Sequence, residues 1–331
     1  MTAMNSVPVI DASHLTDPTA LRAIDHACRE WGFFQVVRHG VEREVMLALQ
    51  REMRAFFALP LEAKRRVERS AENPWGFYDR ELTKNTRDWK QIFDCGSEGD
   101  QQPTPWPDGT PEFRRALLAF MGSCERLAFR LLAALSLNLG MPADHLARGF
   151  RPTHTSFLRL NYYPLCPSPA HPTGVRAPSR GHLGVNHHTD SGALTLLLQD
   201  EEPGLEVHRE GRWHLVEPRS DALVINIGDI VQVWSNDRYR AALHRVRANA
   251  DRQRFSAPFF FNPAYDSWYA PLPTTVDART PALYRPIHWG EFRTLRAAGD
   301  YQDRGEEVQI DHYRLRGGST GAATEAGHGV H

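Results

Sequence analysis

Cysteine is scarce in this chain. Cys28, Cys95, Cys124 and Cys166 are the only four in 331 residues, and no two form a Cys-x-x-Cys pair. That is too few for a disulfide scaffold, so they read as reduced thiols of a cytosolic protein. Surplus charge is missing as well. Lys+Arg number 39 against 40 Asp+Glu, which leaves no global field to draw nucleic acid or an anionic membrane. No apolar run approaches the ~18 residues of a membrane span. Around Asp11, His14 and Asp17 there is no basic-then-apolar signal pattern, and no internal repeat is visible. The expectation is a cytoplasmic protein, monomeric or weakly oligomeric, with no nucleic-acid or membrane partner. Its length allows one large unit or two small ones with a substantial core.

What is present reads as helices first and strands later. Val7-Pro8-Val9-Ile10-Asp11 is a short strand, and Asp17-Pro18 opens a helix with Leu21, Ile24, Ala27 and Cys28 at helical spacing. Trp31 to Val37 is aromatic and β-branched, hence a strand. Residues 41–69 read as a helix with Val45, Leu49, Met53, Phe56 and Phe57 inward, restarted at Pro60. Residues 74–95 suggest two short strands joined by a polar loop, with Ile92 and Asp94 on one face and Gln91 and Phe93 on the other. A long helix from about Glu112 through Leu117, Phe120, Leu127, Leu131 and Leu135 to Gly140 has the apolar stripe of a spine beneath a β-core. A short helix follows at 144–148.

From Ser156 the chain is β-rich, with strand candidates at 156–163, 188–198, 205–208, 212–216, 221–227, 230–234, 242–248 and 254–261. Eight antiparallel strands fit a double-stranded β-helix, or jelly roll. The fold class is therefore mainly β with flanking helices: a jelly-roll core supported by a long α-helix. An N-terminal α/β region, 1–110, is expected to pack on a core of 111–310 as one unit. The Pro-, Gly- and Ser-rich stretch 165–187 is longer than ordinary connections and reads as a mouth loop or lid. A helix is expected near Trp289–Ala297, and the Gly/Ala/Ser/Thr-rich 317–331 reads as a disordered tail.

The chain is organised around 184–198, a buried strand with a polar head. His188 and Asp190 stand two apart, so on a strand they project together, while His187 and Thr189 face the other way. An imidazole beside a carboxylate is two-thirds of the two-His-one-carboxylate set that holds Fe(II) in non-haem oxygenases. The missing histidine is supplied by His244, and ten residues later Arg254 and Ser256 form another same-face pair. An arginine fork beside a hydroxyl suits bidentate binding of a carboxylate. By default the other histidines, among them His39, His182, His187, His208, His214 and His312, are structural or surface residues.

In order and spacing His188-x-Asp190, His244, Arg254-x-Ser256 and the upstream Asn161-Tyr162-Tyr163-Pro164 resemble the plant-type, isopenicillin-N-synthase-like family of Fe(II)/2-oxoglutarate oxygenases. The stretch ACREWGFFQVVRHGV is similar to the N-terminal signature of that family, and the resemblance covers about residues 7–310. It implies an Fe(II)- and 2-oxoglutarate-dependent dioxygenase that uses O2 to oxidise a small molecule, by hydroxylation or desaturation, in specialised metabolism, with release of succinate and CO2. His188, Asp190 and His244 would hold the metal. Arg254 and Ser256 would meet the far carboxylate of 2-oxoglutarate, and Asn161 and Tyr163 its near end. Ile92 and Asp94 fall where relatives line the substrate mouth. Arg159 shares the face of Asn161, and Phe260 and Asn262 continue the face of Arg254, so these three are expected to border the substrate. Arg159 either reads an anionic substrate group or pairs with an internal acid such as Asp94. The alternatives are an iron oxidase that needs no 2-oxo acid, an ethylene-forming type of enzyme, and a binding module without catalysis. The Asn-Tyr-Tyr-Pro element favours 2-oxoglutarate dependence.

Overall fold

The computed structural model describes residues 6–70, 72–97, 102–175, 178, 180–300, 305 and 307–315. The first part of the chain runs β1 (Val9–Asp11), α1 (Pro18–Glu30), β2 (Phe33–Val37), α2 (Arg43–Phe57), α3 (Leu61–Arg65), β3 (Gly76–Tyr78), the hairpin β4 (Leu82–Thr83) and β5 (Thr86–Arg87), β6 (Gln91–Cys95) and α4 (Pro111–Asn138). It continues with β7 (Phe157–Tyr163), β8 (Leu183–His188), β9 (Leu194–Gln199), β10 (Leu205–Arg209), β11 (Arg212–Leu215), β12 (Ala222–Ile227), α5 (Asp229–Trp234), β13 (His244–Arg247), β14 (Arg254–Phe261), β15 (Trp268–Tyr269), β16 (Ile287–His288) and α6 (Trp289–Ala297).

Strand alternation decides which residues reach the site. The large sheet has the order β1-β2-β12-β9-β14-β7-β6-β3, and a smaller one the order β11-β10-β13-β8. On β14, Phe255, Ala257 and Phe259 pack into the main core, as do Leu158 and Leu160 of β7, Leu196 and Leu198 of β9, and Leu223 and Ile225 of β12. The same core takes Ile24 and Ala27 of α1, Leu49, Met53 and Phe56 of α2, and Leu117, Phe120, Leu127 and Leu131 of α4. One face of the large sheet is therefore sealed by helices, each burying its apolar stripe. The opposite face carries Arg254, Ser256, Phe260, Arg159, Asn161 and Tyr163. It looks across a smaller apolar cluster, with Phe33, Tyr163, Leu197, Val207 and Val246, toward the small sheet. Two sheets facing each other in this way make the expected jelly-roll core over its spine helix.

Three segments differ from the sequence expectation. Residues 230–234 are helical, in α5, rather than a strand. All six α5 residues are buried, so no polar face marks the helical period. The candidate strand 188–198 is two strands in two different sheets, β8 and β9, with a turn through Ser191-Gly192 between them. The stretch 165–187 ends in β8 and is not wholly a loop. Before β8 it is fastened to the small sheet: Trp213 Nε1 donates to the Gly174 carbonyl at 3.1 Å and Arg245 to the Pro172 carbonyl at 2.8 Å. The helix expected at 144–148 is a 3-10 turn at Leu146–Phe150. Between β3 and β6 the polar loop contains the β4–β5 hairpin. The expected tail 317–331 lies outside the described residues. Among the described residues no helix is long and apolar enough to cross a membrane.

Candidate active site

His188 ends β8, and His244 begins β13. The two are register partners in the small sheet, with ring centroids 4.2 Å apart. Asp190 lies just past the end of β8, in the turn that crosses to the large sheet, and not on the strand itself. Its Oδ1 nevertheless stands 3.5 Å from His188 Nε2 and 3.6 Å from His244 Nε2. The donor atoms of the three residues all fall within 4.8 Å of one another. The convergence that alternation predicts is there, produced by a turn.

Tautomer and charge suit a cation. His188 Nδ1 faces the Asn186 carbonyl at 2.8 Å, and His244 Nδ1 the Ala242 carbonyl at 3.0 Å. A carbonyl only accepts, so each Nδ1 carries the proton and each Nε2 presents a lone pair. Burial, reinforced by the neighbouring His188, pushes the pKa of His244 down to about 4, so its ring is neutral at pH 7. Burial opposes ionisation of Asp190, but His244, His188 and Asn226 outweigh it and hold the pKa below the usual carboxylate range. Asp190 Oδ2 accepts from Asn226 Nδ2 at 2.8 Å and from the Thr195 hydroxyl, which turns Oδ1 toward the histidines. Neither Asn226 nor Thr195 stands out in the sequence. Each is one polar residue at the inward position of an apolar strand, which is the signal that could have found them.

Beside the triad is a closed pocket of about 80 Å³, lined among others by Asn161, Tyr163, His188, His244, Arg254 and Ser256. Arg254 pairs in register with Tyr163, and Ser256 with Asn161, so four predicted residues meet on adjacent strands. Arg254 is 2% exposed. Its Nε donates to the Glu202 carbonyl at 3.2 Å and one terminal nitrogen to Gln199 Oε1 at 3.1 Å, while Nη1 has no hydrogen-bond partner. Asn161 Oδ1 is also buried and unpartnered. A buried cation with an unspent donor and no carboxylate at hand is costly unless a ligand completes it. The residues therefore fit a carboxylate-bearing co-substrate.

A second cavity, of about 220 Å³, shares Lys90, Arg159, Val185, His188, Asp190 and Phe260 with the first. Trp75, Phe157 and Phe260 give it an aromatic wall, with Phe157 stacked on Phe260 at 4.8 Å. Asp94, Arg159 and Asn262 line it as expected. Ile92 lies on the same side of β6 but is wholly buried and lines neither cavity. Arg159 is engaged by acids: Nε and Nη2 donate to the two oxygens of Asp94 at 2.7 and 2.8 Å, and Nη1 to Glu81 at 2.9 Å. Lys90 Nζ joins the cluster 2.6 Å from Glu81 and 3.1 Å from Asp88. Burial favours the neutral amine of Lys90, but Glu81 and Asp88 outweigh it and raise its pKa. No described residue of 165–182 lines either cavity, so that stretch is not the lid expected of it.

Two family models match the chain: the 2OG-Fe(II) oxygenase superfamily over residues 154–263, and the non-haem dioxygenase in morphine synthesis N-terminal region over 7–112. Jasmonate-induced oxygenase 4 of Arabidopsis thaliana is 35% identical over 297 residues, covering 87% of this chain and 81% of its own length. The chain belongs to the 2OG-Fe(II) oxygenase superfamily. Another relative, oxoglutarate-dependent flavonoid 7-O-demethylase 1 of Ocimum basilicum, is 33% identical over 87% of the chain and 78% of its own length. The crystal structure of JOX2 in complex with 2OG, Fe and JA superposes with a TM-score of 0.81 at 31% identity, covering 93% of this chain and 88% of that one. The protein is thus a non-haem Fe(II)- and 2-oxoglutarate-dependent dioxygenase that acts on a small molecule.

Proposed function

We propose that His188, Asp190 and His244 hold the iron, that Arg254 and Ser256 take the distal carboxylate of 2-oxoglutarate, and that Asn161 and Tyr163 meet its near end. The observation that carries this reading is the unspent Nη1 of Arg254, buried in a pocket that opens onto the triad. When bound, the iron and the 2-oxo acid supply the oxidising chemistry from O2, with succinate and CO2 as products. The chain's own work is placement. The carbonyls of Asn186 and Ala242 fix the ring orientation of the histidines, and Asn226 and Thr195 fix the carboxylate. Phe33, Leu197, Leu205 and Val246 wall the co-substrate pocket with apolar surface, which excludes water and strengthens the arginine–carboxylate pair.

The substrate enters the larger cavity, where Phe260, Asn262, Arg159 and Asp94 border it and where a C–H bond can lie next to the triad. A cavity of about 220 Å³ favours a compact molecule, and its aromatic wall favours a ring or another flat apolar body. Arg159 is committed to Asp94 and Glu81, so it shapes the floor instead of reading a substrate anion. An anionic substrate group would be met at Arg293 and Arg296, which line the same cavity. Four free, buried cysteines support a reducing compartment such as the cytoplasm. The test is succinate release from 2-oxoglutarate by Fe(II)-loaded protein under O2, with a panel of compact cyclic acids and their neutral analogues. Stimulated release with matching product formation supports the reading. No 2-oxoglutarate turnover at full iron occupancy sinks it.

A further inference from the structure

We infer that Asp88 is a positioning residue for the metal ligand His188, and that it ties this ligand to the ion cluster on the floor of the substrate cavity. The inference rests on His188 being a metal ligand. β8 is the outer strand of the small sheet, so one of its edges has no neighbouring strand. A buried edge must have its backbone groups satisfied by something else. Residues 88 and 89 do this. Asp88 Oδ1 accepts from the backbone N–H of Asn186 at 3.0 Å and from its side-chain amide at 3.1 Å, and the N–H of Trp89 donates to the Leu183 carbonyl at 2.9 Å. Asn186 is wholly buried, and its carbonyl takes the Nδ1–H of His188. Asp88 thus grips the residue whose carbonyl sets the angle of the ligand ring.

The other oxygen of Asp88 faces the cavity floor. Oδ2 accepts from the Thr83 hydroxyl at 2.7 Å and lies 3.1 Å from Lys90 Nζ. Lys90 reaches Glu81, and Glu81 reaches Arg159, which lines both cavities. A chain of charge-assisted bonds therefore runs from the cavity floor through Lys90, Asp88 and Asn186 to His188. Neutralising Lys90 alone would need only one oxygen of Asp88. The two bonds from Oδ1 to Asn186 are what a positioning role requires.

The test uses the full-length protein with Co(II) as probe, reading its affinity and its visible ligand-field absorption, with thermal melting of the metal-free protein alongside. Asp88→Ala is expected to weaken Co(II) binding roughly ten- to a hundredfold, as loss of a partner that orients a ligand does, and to alter the absorption envelope. Asp88→Asn keeps an acceptor for the Asn186 N–H and should fall between Asp88→Ala and wild type. It also serves if the alanine variant does not fold. Asp25→Asn breaks the Arg29, Arg238 and Tyr239 contacts far from the site and should lower the melting temperature while leaving Co(II) binding alone. Wild-type affinity and spectrum in Asp88→Asn and in any folded Asp88→Ala would overturn the proposal. So would an equal loss of Co(II) affinity in Asp25→Asn. His188→Ala is the reference: if it binds Co(II) like wild type, the ligand assignment fails, and not the relay alone.

Discussion

The two cavities beside the triad share a wall and solve opposite problems. In the co-substrate pocket a buried arginine keeps a nitrogen unspent and no acid pairs with it. In the substrate cavity Arg159 is bonded to two acids, and Lys90 to two as well. An unspent buried donor marks where a ligand's charge is to arrive. A satisfied cluster marks a rigid floor whose ions serve the protein itself. The same residue type, seven residues or fewer from a strand partner of the other, thus has two roles, and its partners decide which.

Swapping the arginines for an uncharged chain of similar length should separate those roles. Arg159→Met leaves Asp94 and Glu81 short of a cation, which typically costs ~3–5 kcal/mol of stability, and chemical denaturation reads it directly. An Arg159→Met protein as stable as wild type would break the contrast. For Arg254→Met the loss moves to the ligand. A charge-assisted bond is worth ~1.5–3 kcal/mol, so 2-oxoglutarate affinity should fall roughly ten- to a hundredfold or more, with little change in the denaturation midpoint.

A smaller effect concerns Asp229, a wholly buried acid whose backbone N–H donates to the Asp190 carbonyl. Burial, against the pull of Arg296, raises its pKa from 3.8 to about 6. Between those values the folded state holds the proton more tightly than the unfolded chain, so stability falls as pH rises through the window. Asp229→Asn removes that slope. The variant should gain on wild type between pH 4 and pH 7, by on the order of 1 kcal/mol once the cost of a buried amide is set against the shift. Parallel stability profiles across that range would contradict the assignment.

The parts legible in the sequence are those where chemistry restricts residue type and alternation restricts direction. His188, His244, Arg254 and Ser256 are of this kind, and strand pairing brings them together. Asp190 was legible in type but not in place, because pattern alone does not show that β8 stops at His188. The supporting residues stayed hidden for a different reason. Asn226 meets Asp190 across 36 residues and Asp88 meets Asn186 across 98, and nothing local to either residue announces the partner. α5 was misread because uniform burial erases periodicity. Arg159 was left between two roles in the sequence, since alternation gives a side chain's direction and not its partner. The bonds to Asp94 and Glu81 give the partner.

The most direct test of the central claim is an anaerobic titration of Fe(II)-loaded protein with 2-oxoglutarate, following the visible metal-to-ligand charge-transfer absorption. Wild type should develop the band and saturate. Arg254→Met should need far more 2-oxoglutarate for the same band, and His188→Ala should show none. An absent band in wild type at confirmed iron occupancy, or identical titration curves for wild type and Arg254→Met, would contradict the account of the site.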